Sequence, residues 1–363
     1  MKDNLIQYLL KYRDKSFQQV PFSEADALLF AHLSYMKMLG IVPGFHKSDG
    51  ISWKQMMEHA QADQLFDDWL YGKKNRKIVE IIRNSVRYRN IKIAYYMEWL
   101  DEKRESQFSA VTFLIGKTSS FVAFRGTDES LVGWKEDFNM GFMKSVPAQR
   151  QALFYLRGVT RYIPSGRLIL GGHSKGGNLA VYASAFASEA VQERIRRIYS
   201  FDGPGFHPSF YEQDGFKKIE KKYCKIVPEQ SLVGMLLTNY HKYRVVRSYR
   251  TGMMQHDPLQ WKIKKGKFVY RKDLYWKSRR RSKILNTWID SLNREQIVLF
   301  VETIYDLLQS AQVKSIYAFL KKPIRILKKM RSTYRKMDSV RRSDFWKVMK
   351  KLFQAILSGG KVS

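Results

Sequence analysis

The sequence predicts an α/β fold in which a mostly parallel sheet is flanked by helices and followed by a helical extension. Between residues 110 and 249, short apolar segments alternate with segments of helical periodicity, and this alternation is typical of βαβ units. Beyond about residue 270 the apolar residues have helical spacing. We therefore divide the 363 residues into a domain at 1–270, which begins with a helical region, and an extension at 271–363.

The N-terminal region is expected to be helical. Ser23 stands three residues before Asp26, as in a capping box, and apolar residues at helical spacing continue to Met38. Residues 53–89 also have helical periodicity, with a break near Gly72. The first 17 residues lack a signal-peptide pattern, and no uncharged apolar run reaches about 18 residues, so we expect a cytoplasmic protein.

The central elements follow in order. Strands are expected at 91–95, 110–115 and 121–124, the last two joined as a hairpin through a turn that contains Gly116. The subsequent predicted elements are a helix at 148–157, a strand at 167–170, a helix at 178–194, and strands at 198–201, 224–227 and 245–249.

The extension is basic. The whole chain carries 65 Lys and Arg against 33 Asp and Glu, and residues 261–363 alone hold 27 basic and 7 acidic side chains. Helices are predicted at 282–311, at 314–337 with an interruption at Pro323, and at 343–357. The last helix has an apolar face and a lysine face, which suits packing on the domain or peripheral contact with an anionic membrane. Nucleic acid is the less favoured partner, because the sequence has no recognised binding motif.

Composition excludes several other classes of protein. With 44% hydrophobic residues the chain is not disordered. The single Cys224 excludes an intrachain disulfide and a cysteine-based zinc cluster. Neither a metal nor an organic cofactor is expected for the chemistry that the following motifs predict.

The most informative motif is Gly-His-Ser-Lys-Gly at residues 172–176. It matches the G-x-S-x-G pattern and lies between a predicted strand and a predicted helix, where that pattern forms a sharp turn exposing a nucleophile. The flanking glycines are needed because side chains there would collide with the neighbouring strand and helix. The motif predicts Ser174 as the nucleophile, and the backbone N–H of Lys175 at the helix start as a donor to developing negative charge.

A serine nucleophile needs a base, and the chain has seven histidines. In the fold class that carries this motif an acid and then a histidine follow the serine, which leaves His207, His241 and His256. His241 precedes a predicted strand and would lie at the wrong edge of the sheet. We favour His256, which follows that strand in a loop, and keep His207 as the alternative.

Two carboxylates can orient the imidazole. Asp202 directly follows the strand at 198–201, and Glu229 follows the strand at 224–227. Either could hold the histidine tautomer and stabilise its cation. Asp202 is preferred and Glu229 stays open, whereas Asp257 is too close to His256 in sequence.

A second oxyanion donor is expected after an earlier strand. Thr127 follows the apolar strand at 121–124 and Gly126, and it offers both an N–H and a hydroxyl. With the amide of Lys175 it would form an oxyanion hole.

These motifs carry a resemblance. Phe-Arg-Gly-Thr at 124–127, together with residues 172–180, resembles the class 3 lipase branch of the α/β-hydrolases. Over roughly residues 1–270 the chain more closely resembles the Mbeg1-like family of bacterial proteins, through the segments 21–27, 133–138, 201–206 and 255–258. The resemblance implies a serine hydrolase core.

In that core, Ser174, Thr127 and His256 fall on the lipase positions of nucleophile, oxyanion donor and base. The acid departs from the lipase pattern. Class 3 lipases carry Asp after the later strand, where this chain has Glu229 and, nearest the Asp position, Ser231. Asp202 lies instead where the acid lies in pancreatic-type lipases.

The sequence therefore predicts a serine hydrolase of lipase or esterase type that cleaves carboxylic esters, lipid esters among them, through an acyl-enzyme. Transfer of the acyl group to another alcohol stays open. The alternative is a hydrolase scaffold with weak or no activity that binds a membrane or nucleic acid through its basic extension.

Overall fold

The structure, a computed structural model, describes residues 2–45, 49–67, 71–101, 106–127, 131–140, 143, 145–239, 242–313 and 323–360. Its strands are β1 (Ile51–Ser52), β2 (Lys92–Asp101), β3 (Ser106–Ile115), β4 (Ser119–Phe124), β5 (Arg167–His173), β6 (Ile195–Phe201), β7 (Tyr223–Pro228), β8 (Tyr243–Val246), β9 (Ile263–Lys264), β10 (Lys267–Phe268) and β11 (Tyr270–Arg271).

The described strands form a nine-stranded sheet in the order β1-β2-β3-β4-β5-β6-β7-β8-β11, while β9 and β10 pair separately. Strands β4 to β8 are parallel to one another. Strands β1 to β4 are antiparallel, and β11 runs antiparallel to β8. The predicted α/β class, its mostly parallel centre and the β3–β4 hairpin are confirmed.

Helices cover both faces of this sheet. They are α1 (Leu5–Tyr12), α2 (Glu24–Leu33), α3 (Trp53–Glu58), α4 (Gly72–Arg83), α5 (Leu131–Asn139), α6 (Pro147–Tyr162), α7 (Lys175–Ala185), α8 (Glu189–Arg194), α9 (Pro208–Tyr211), α10 (Asp214–Ile219), α11 (Trp276–Asp290), α12 (Arg294–Ser310), α13 (Pro323–Lys336) and α14 (Ser339–Leu357). Among the described helices none is both long and apolar enough to cross a membrane.

Two apolar cores lie on opposite sides of the sheet, and β4 shows how the sequence divides between them. Phe121 and Ala123 belong to the core beneath α1, α2 and α4. Val122 and Phe124 belong to the core beneath α6 and α7. Successive side chains of a strand point to opposite faces, so a continuous apolar run is what a strand buried on both faces requires.

Several element boundaries differ from the expected ones. The capping box at Ser23 is present, but α2 ends at Leu33 instead of Met38. The helix predicted at 178–194 is α7 and α8, separated at residues 186–188. The helix predicted at 282–311 is α11 and α12, because the side chain of Asn293 accepts a hydrogen bond from the Gln296 N–H and caps a new helix.

The helices that follow residue 271 pack together and against the sheet domain. The Trp288 indole on α11 donates to the Val348 carbonyl on α14 at 3.2 Å. Ser278 on α11 donates to the Ser231 carbonyl at 2.6 Å, beside the carboxyl end of β7. The predicted boundary at residue 270 stays a prediction, and residues 314–322 lie outside the described part of the chain.

Candidate active site

Ser174 forms a sharp turn between β5 and α7. Its backbone has φ 57° and ψ −133°, in the left-handed region that is costly for a residue with a Cβ. The Ser174 N–H donates to the Phe201 carbonyl at 2.9 Å, which ties the turn to the end of β6. Helix α7 starts at Lys175, directly after the turn.

The glycines on either side of Ser174 are required by close backbone contacts. A Cβ on Gly172 would lie 2.3 Å from the carbonyl carbon of Gly176. A Cβ on Gly176 would lie 2.1 Å from the Phe124 carbonyl oxygen at the end of β4. Both distances are far shorter than a van der Waals contact, so the steric argument from the sequence agrees with the structure.

Asp202 and His256 form a hydrogen-bonded pair. Asp202 follows β6, and its Oδ2 lies 2.7 Å from Nδ1 of His256. The other carboxylate oxygen, Oδ1, accepts from the Ser231 hydroxyl at 2.5 Å and from the Gly234 N–H at 3.2 Å. Because Nδ1–H donates to the buried carboxylate, the lone pair of a neutral His256 ring is at Nε2.

Glu229, the alternative acid, lies elsewhere. Its Oε2 is 2.6 Å from Nη1 of Arg271 on β11, and its N–H donates to the Val246 carbonyl on β8. Asp257 forms an ion pair with Lys74, with 3.2 Å between Oδ2 and Nζ. The structure therefore brings Asp202, and not Glu229, to the imidazole of His256.

The alternative histidines are not part of this pair. His207 precedes α9, and its Nδ1 lies 2.9 Å from the Ser209 hydroxyl on the exposed surface. His241 lies outside the described residues.

His173 holds His256 beside the serine turn. The two imidazole rings lie 4.4 Å apart between centroids, and His173 Nε2 donates to the His256 carbonyl at 2.8 Å. His173 Nδ1 then accepts from the Tyr35 hydroxyl at 3.0 Å. Burial, and secondarily the neighbouring His256, hold the pKa of His173 well below its usual 6.5. A neutral His173 therefore fixes the backbone of His256 next to Ser174.

No hydrogen bond joins Ser174 Oγ to His256 in the described part of the chain. Such contacts are often long in unliganded enzymes and shorten when substrate binds.

Thr127 approaches the same turn from β4. A Cβ on Gly126 would lie 2.6 Å from the His173 carbonyl oxygen, so the chain before Thr127 is in contact with the turn. The Thr127 hydroxyl donates to Oδ2 of Asp137 on α5 at 2.6 Å. Burial raises the pKa of Asp137 to about 6, against the opposing effects of Lys175 and the Thr127 hydrogen bond.

The side chain of Lys175 also makes contacts next to the serine turn. Its side chain is buried, and Nζ donates to Glu136 Oε2 at 2.9 Å and to the Gln107 carbonyl at 3.0 Å. Glu136 on α5 also accepts from the N–H groups of Gln107 and Ala148, at 3.0 and 2.9 Å. This buried ion pair ties the serine turn to the helix that carries Asp137.

The family model of the Mbeg1-like proteins matches residues 82–306, which is more than half of the chain. The chain belongs to the Mbeg1-like family. The matched segment contains Ser174, Asp202, His256, Thr127 and Lys175.

Several lipases of known structure are similar to this Mbeg1-like chain. The M37 lipase is 13% identical with a TM-score of 0.38, over 59% of this chain and 70% of the lipase. The native Rhizomucor miehei lipase propeptide complex is 16% identical with a TM-score of 0.33, over 50% of this chain and 62% of the lipase. Lip2 lipase from Yarrowia lipolytica is 13% identical with a TM-score of 0.32, over 49% and 82%. A search of curated proteins found no significant match.

Sequence reasoning missed three residues of the Mbeg1-like site. The roles of Tyr35, Asp137 and Glu136 depend on contacts with residues 138, 10 and 39 positions away, and no local pattern marks such pairs. Glu136 and Asp137 lie in the segment 133–138, which carries the resemblance, whereas Tyr35 lies in none of the segments that carry it. Among the described residues no group of His, Cys, Asp and Glu is arranged to hold a metal ion.

Proposed function

We propose that this Mbeg1-like protein is a serine hydrolase that cleaves carboxylic esters. One observation carries the proposal: a buried Asp202 is hydrogen-bonded at 2.7 Å to Nδ1 of His256, and the ring of that histidine lies 4.4 Å from the ring of His173, the residue before the positive-φ Ser174. A nucleophile, a base and an acid that orients the base are the components of acyl transfer to serine.

In the proposed mechanism Ser174 Oγ attacks the ester carbonyl carbon while Nε2 of His256 takes the hydroxyl proton. Asp202 stabilises the imidazolium. The tetrahedral intermediate collapses, His256 gives the proton to the departing alcohol, and an acyl-enzyme remains on Ser174. Water attacks this ester with His256 as base, and the carboxylic acid leaves as His256 returns the proton to Ser174 Oγ. An alcohol in place of water would transfer the acyl group instead.

The oxyanion would be held by the backbone N–H groups of Thr127 and Lys175. The Thr127 hydroxyl has one hydrogen, and it is donated to Asp137, so the amide is the donor available to the substrate. A lost oxyanion donor costs about 2.7–4 kcal/mol of transition-state stabilisation. Asp137 and the Lys175–Glu136 ion pair would act by positioning these amides.

Lipid esters are the proposed substrate class. The exposed side chains of Met253 and Met254 lie in the turn that ends at His256, so apolar, flexible groups border the base. Methionine adapts its shape to apolar ligands. A cytoplasmic location stays a prediction that cell fractionation tests.

A fluorophosphonate probe tests the proposal directly. The wild-type protein should be labelled at Ser174, and the variant Ser174→Ala should not. The control Ser209→Ala, at an exposed position in α9, should be labelled like the wild type. Hydrolysis of p-nitrophenyl esters of graded chain length then defines the acyl preference. A folded wild type that neither reacts with the probe nor cleaves any ester would favour a binding scaffold without activity.

A further inference from the structure

We propose that the exposed face of α14 is a docking surface for anionic lipid membranes. The proposal deepens the proposed function, because it names the source of the lipid ester, but vesicle binding tests it without reference to hydrolysis. The docking surface is defined as Trp346, Lys350, Phe353 and Leu357.

Helix α14 has two apolar faces, and the second one is unpartnered within the described residues. Phe345, Val348 and Ala355 form the buried face toward α11 and α12. Trp346, Phe353 and Leu357 are 49%, 48% and 86% exposed. The sequence predicted one apolar face and one lysine face for this helix, and the exposure of Phe353 and Ile356 shows that its apolar residues do not all lie on one buried face.

The exposed apolar residues form a stripe. Positions 346, 350, 353 and 357 are spaced four, three and four residues apart, which places them in one row along the helix. The rings of Trp346 and Phe353 lie 6.1 Å apart between centroids. A packed surface helix needs one apolar stripe, so a second, exposed aromatic stripe indicates an interaction site.

Basic residues accompany this stripe. Lys350 lies one turn after Trp346 and is exposed. Arg342, one turn before Trp346, is half-buried and donates to the Arg335 carbonyl at 2.9 Å. Residues 323–357 contain 11 basic and two acidic side chains. At the C-terminal end of α14, a Cβ on Gly360 would lie 3.0 Å from Lys283 Cγ, and one on Gly359 would lie 3.8 Å from Arg280 Nε. The two glycines that follow Leu357 and Ser358 are therefore close to basic residues of α11.

This combination fits a membrane better than a nucleic acid. Lysine and arginine attract anionic headgroups, tryptophan favours the headgroup level, and leucine enters the acyl region. Nucleic acid would contact the cations and the aromatic rings, but it provides no apolar environment for Leu357, whose side chain is 86% exposed. The apolar stripe and the positive charge together select an anionic lipid surface.

The docking surface is connected to the candidate active site through ring contacts. Phe345, on the buried face of α14, stacks on Phe300 of α12 at 5.7 Å between centroids. Phe300 lies 6.3 Å from Phe138 on α5, the residue next to Asp137. Lys135 on the same helix pairs with Glu302 of α12 at 3.3 Å. A membrane bound by α14 would thus be held at a fixed position relative to the helix that supports Thr127.

The experiment is vesicle co-sedimentation of the full chain. One arm uses phosphatidylcholine vesicles and the other uses the same vesicles with added phosphatidylglycerol, each at low and high salt. The double variant Trp346→Ser/Phe353→Ser removes the aromatic stripe, and Lys350→Glu reverses one charge. Phe154→Ser, at a residue on α6 that is 65% exposed, is the matched control.

We expect binding only to the anionic vesicles, weakened by salt. The double variant should bind at least about tenfold more weakly, and Lys350→Glu at least about fivefold more weakly, while Phe154→Ser binds like the wild type. Turnover of p-nitrophenyl butyrate should be unchanged in every variant, which separates loss of docking from loss of hydrolysis and shows that the variants fold.

Four results would overturn the proposal. The wild type could fail to bind anionic vesicles, or the double variant could bind them as tightly as the wild type. Alternatively, size-exclusion chromatography with light scattering could show a dimer that the double variant dissociates, which would assign the stripe to a second copy of the chain. Tighter binding to duplex DNA than to vesicles, lost with Lys350→Glu alone, would assign it to nucleic acid.

Discussion

Replacing Lys175 with methionine tests whether the buried ion pair supports the serine turn. Methionine keeps an unbranched apolar side chain of similar length but removes the ammonium group that pairs with Glu136, whose side chain is fully buried. Removing one partner of a buried pair costs about 3–5 kcal/mol, because the remaining charge is uncompensated. Glu136 retains hydrogen bonds from the N–H groups of Gln107 and Ala148. We therefore expect Lys175→Met to lower the free energy of unfolding by about 3 kcal/mol, the smaller end of that range.

The double variant Lys175→Met/Glu136→Gln separates charge from packing. Glutamine removes the uncompensated charge but leaves one backbone N–H facing its amide nitrogen, and such an unsatisfied group costs about 1–3 kcal/mol. The double variant should thus be more stable than Lys175→Met. Lys218→Met is the matched control, because Lys218 pairs with Glu189 at 2.8 Å on the exposed surface, and it should not change stability measurably.

Urea denaturation followed by tryptophan fluorescence measures these differences, and ester turnover measures the effect on the site. We expect kcat of Lys175→Met to fall at least about tenfold, equivalent to about 1.4 kcal/mol. The change in KM should be smaller, because the substitution would displace the proposed oxyanion amides rather than the substrate pocket. A loss of stability below about 1 kcal/mol, which is the range of an exposed pair, would refute the reasoning. So would a double variant that is less stable than Lys175→Met.

Three further predictions concern the site. Asp202→Asn should lower kcat by about 10⁴-fold, whereas Glu229→Gln should leave ester turnover near that of the wild type; the reverse order would identify Glu229 as the acid. Gly176→Ala should destabilise the protein by more than about 3 kcal/mol and abolish probe labelling, because the new Cβ would collide with the Phe124 carbonyl. The control is Gly116→Ala, whose Cβ would meet no atom within 4 Å. It should cost only the roughly 1–2 kcal/mol of a left-handed backbone. Burial raises the pKa of Asp137 from 3.8 to about 6, so the folded protein binds the carboxyl proton more tightly than the unfolded chain does. The stabilisation from this proton is complete below about pH 3.8 and is lost as the pH rises to 6. Asp137→Asn should remove that part of the pH dependence from urea midpoints, and an unchanged pH profile would contradict it.

The turn at Ser174 could be predicted from the sequence because its cause is local. The glycines at 172 and 176 are needed by the backbone of the same turn and by one neighbouring strand. His256 could be found by elimination, since few histidines follow the serine. The breaks at residues 186–188 and 291–293 were missed because each is only three residues long and interrupts an otherwise continuous helical pattern. The Lys175–Glu136 pair joins residues 39 positions apart, and only the packing of α5 against the turn brings them together.

The order of the strands does not distinguish Asp202 from Glu229 as the partner of His256. Both residues follow parallel strands that end at the same edge of the sheet, so strand order alone allows either to reach His256. The difference arises after β7. Glu229 still donates its N–H to β8, and its carboxylate turns to Arg271.

The chain beyond Glu229 then turns back toward β6. There the Ser231 hydroxyl and the Gly234 N–H donate to Asp202. Ser231 is the residue nearest the position at which class 3 lipases carry their acid. A hydroxyl there cannot serve as the acid, but it can fix a carboxylate supplied by the preceding strand. In the proposed site, the departure from the lipase pattern and the placement of Asp202 would therefore be one feature: the loop after β7 supports the carboxylate that follows β6.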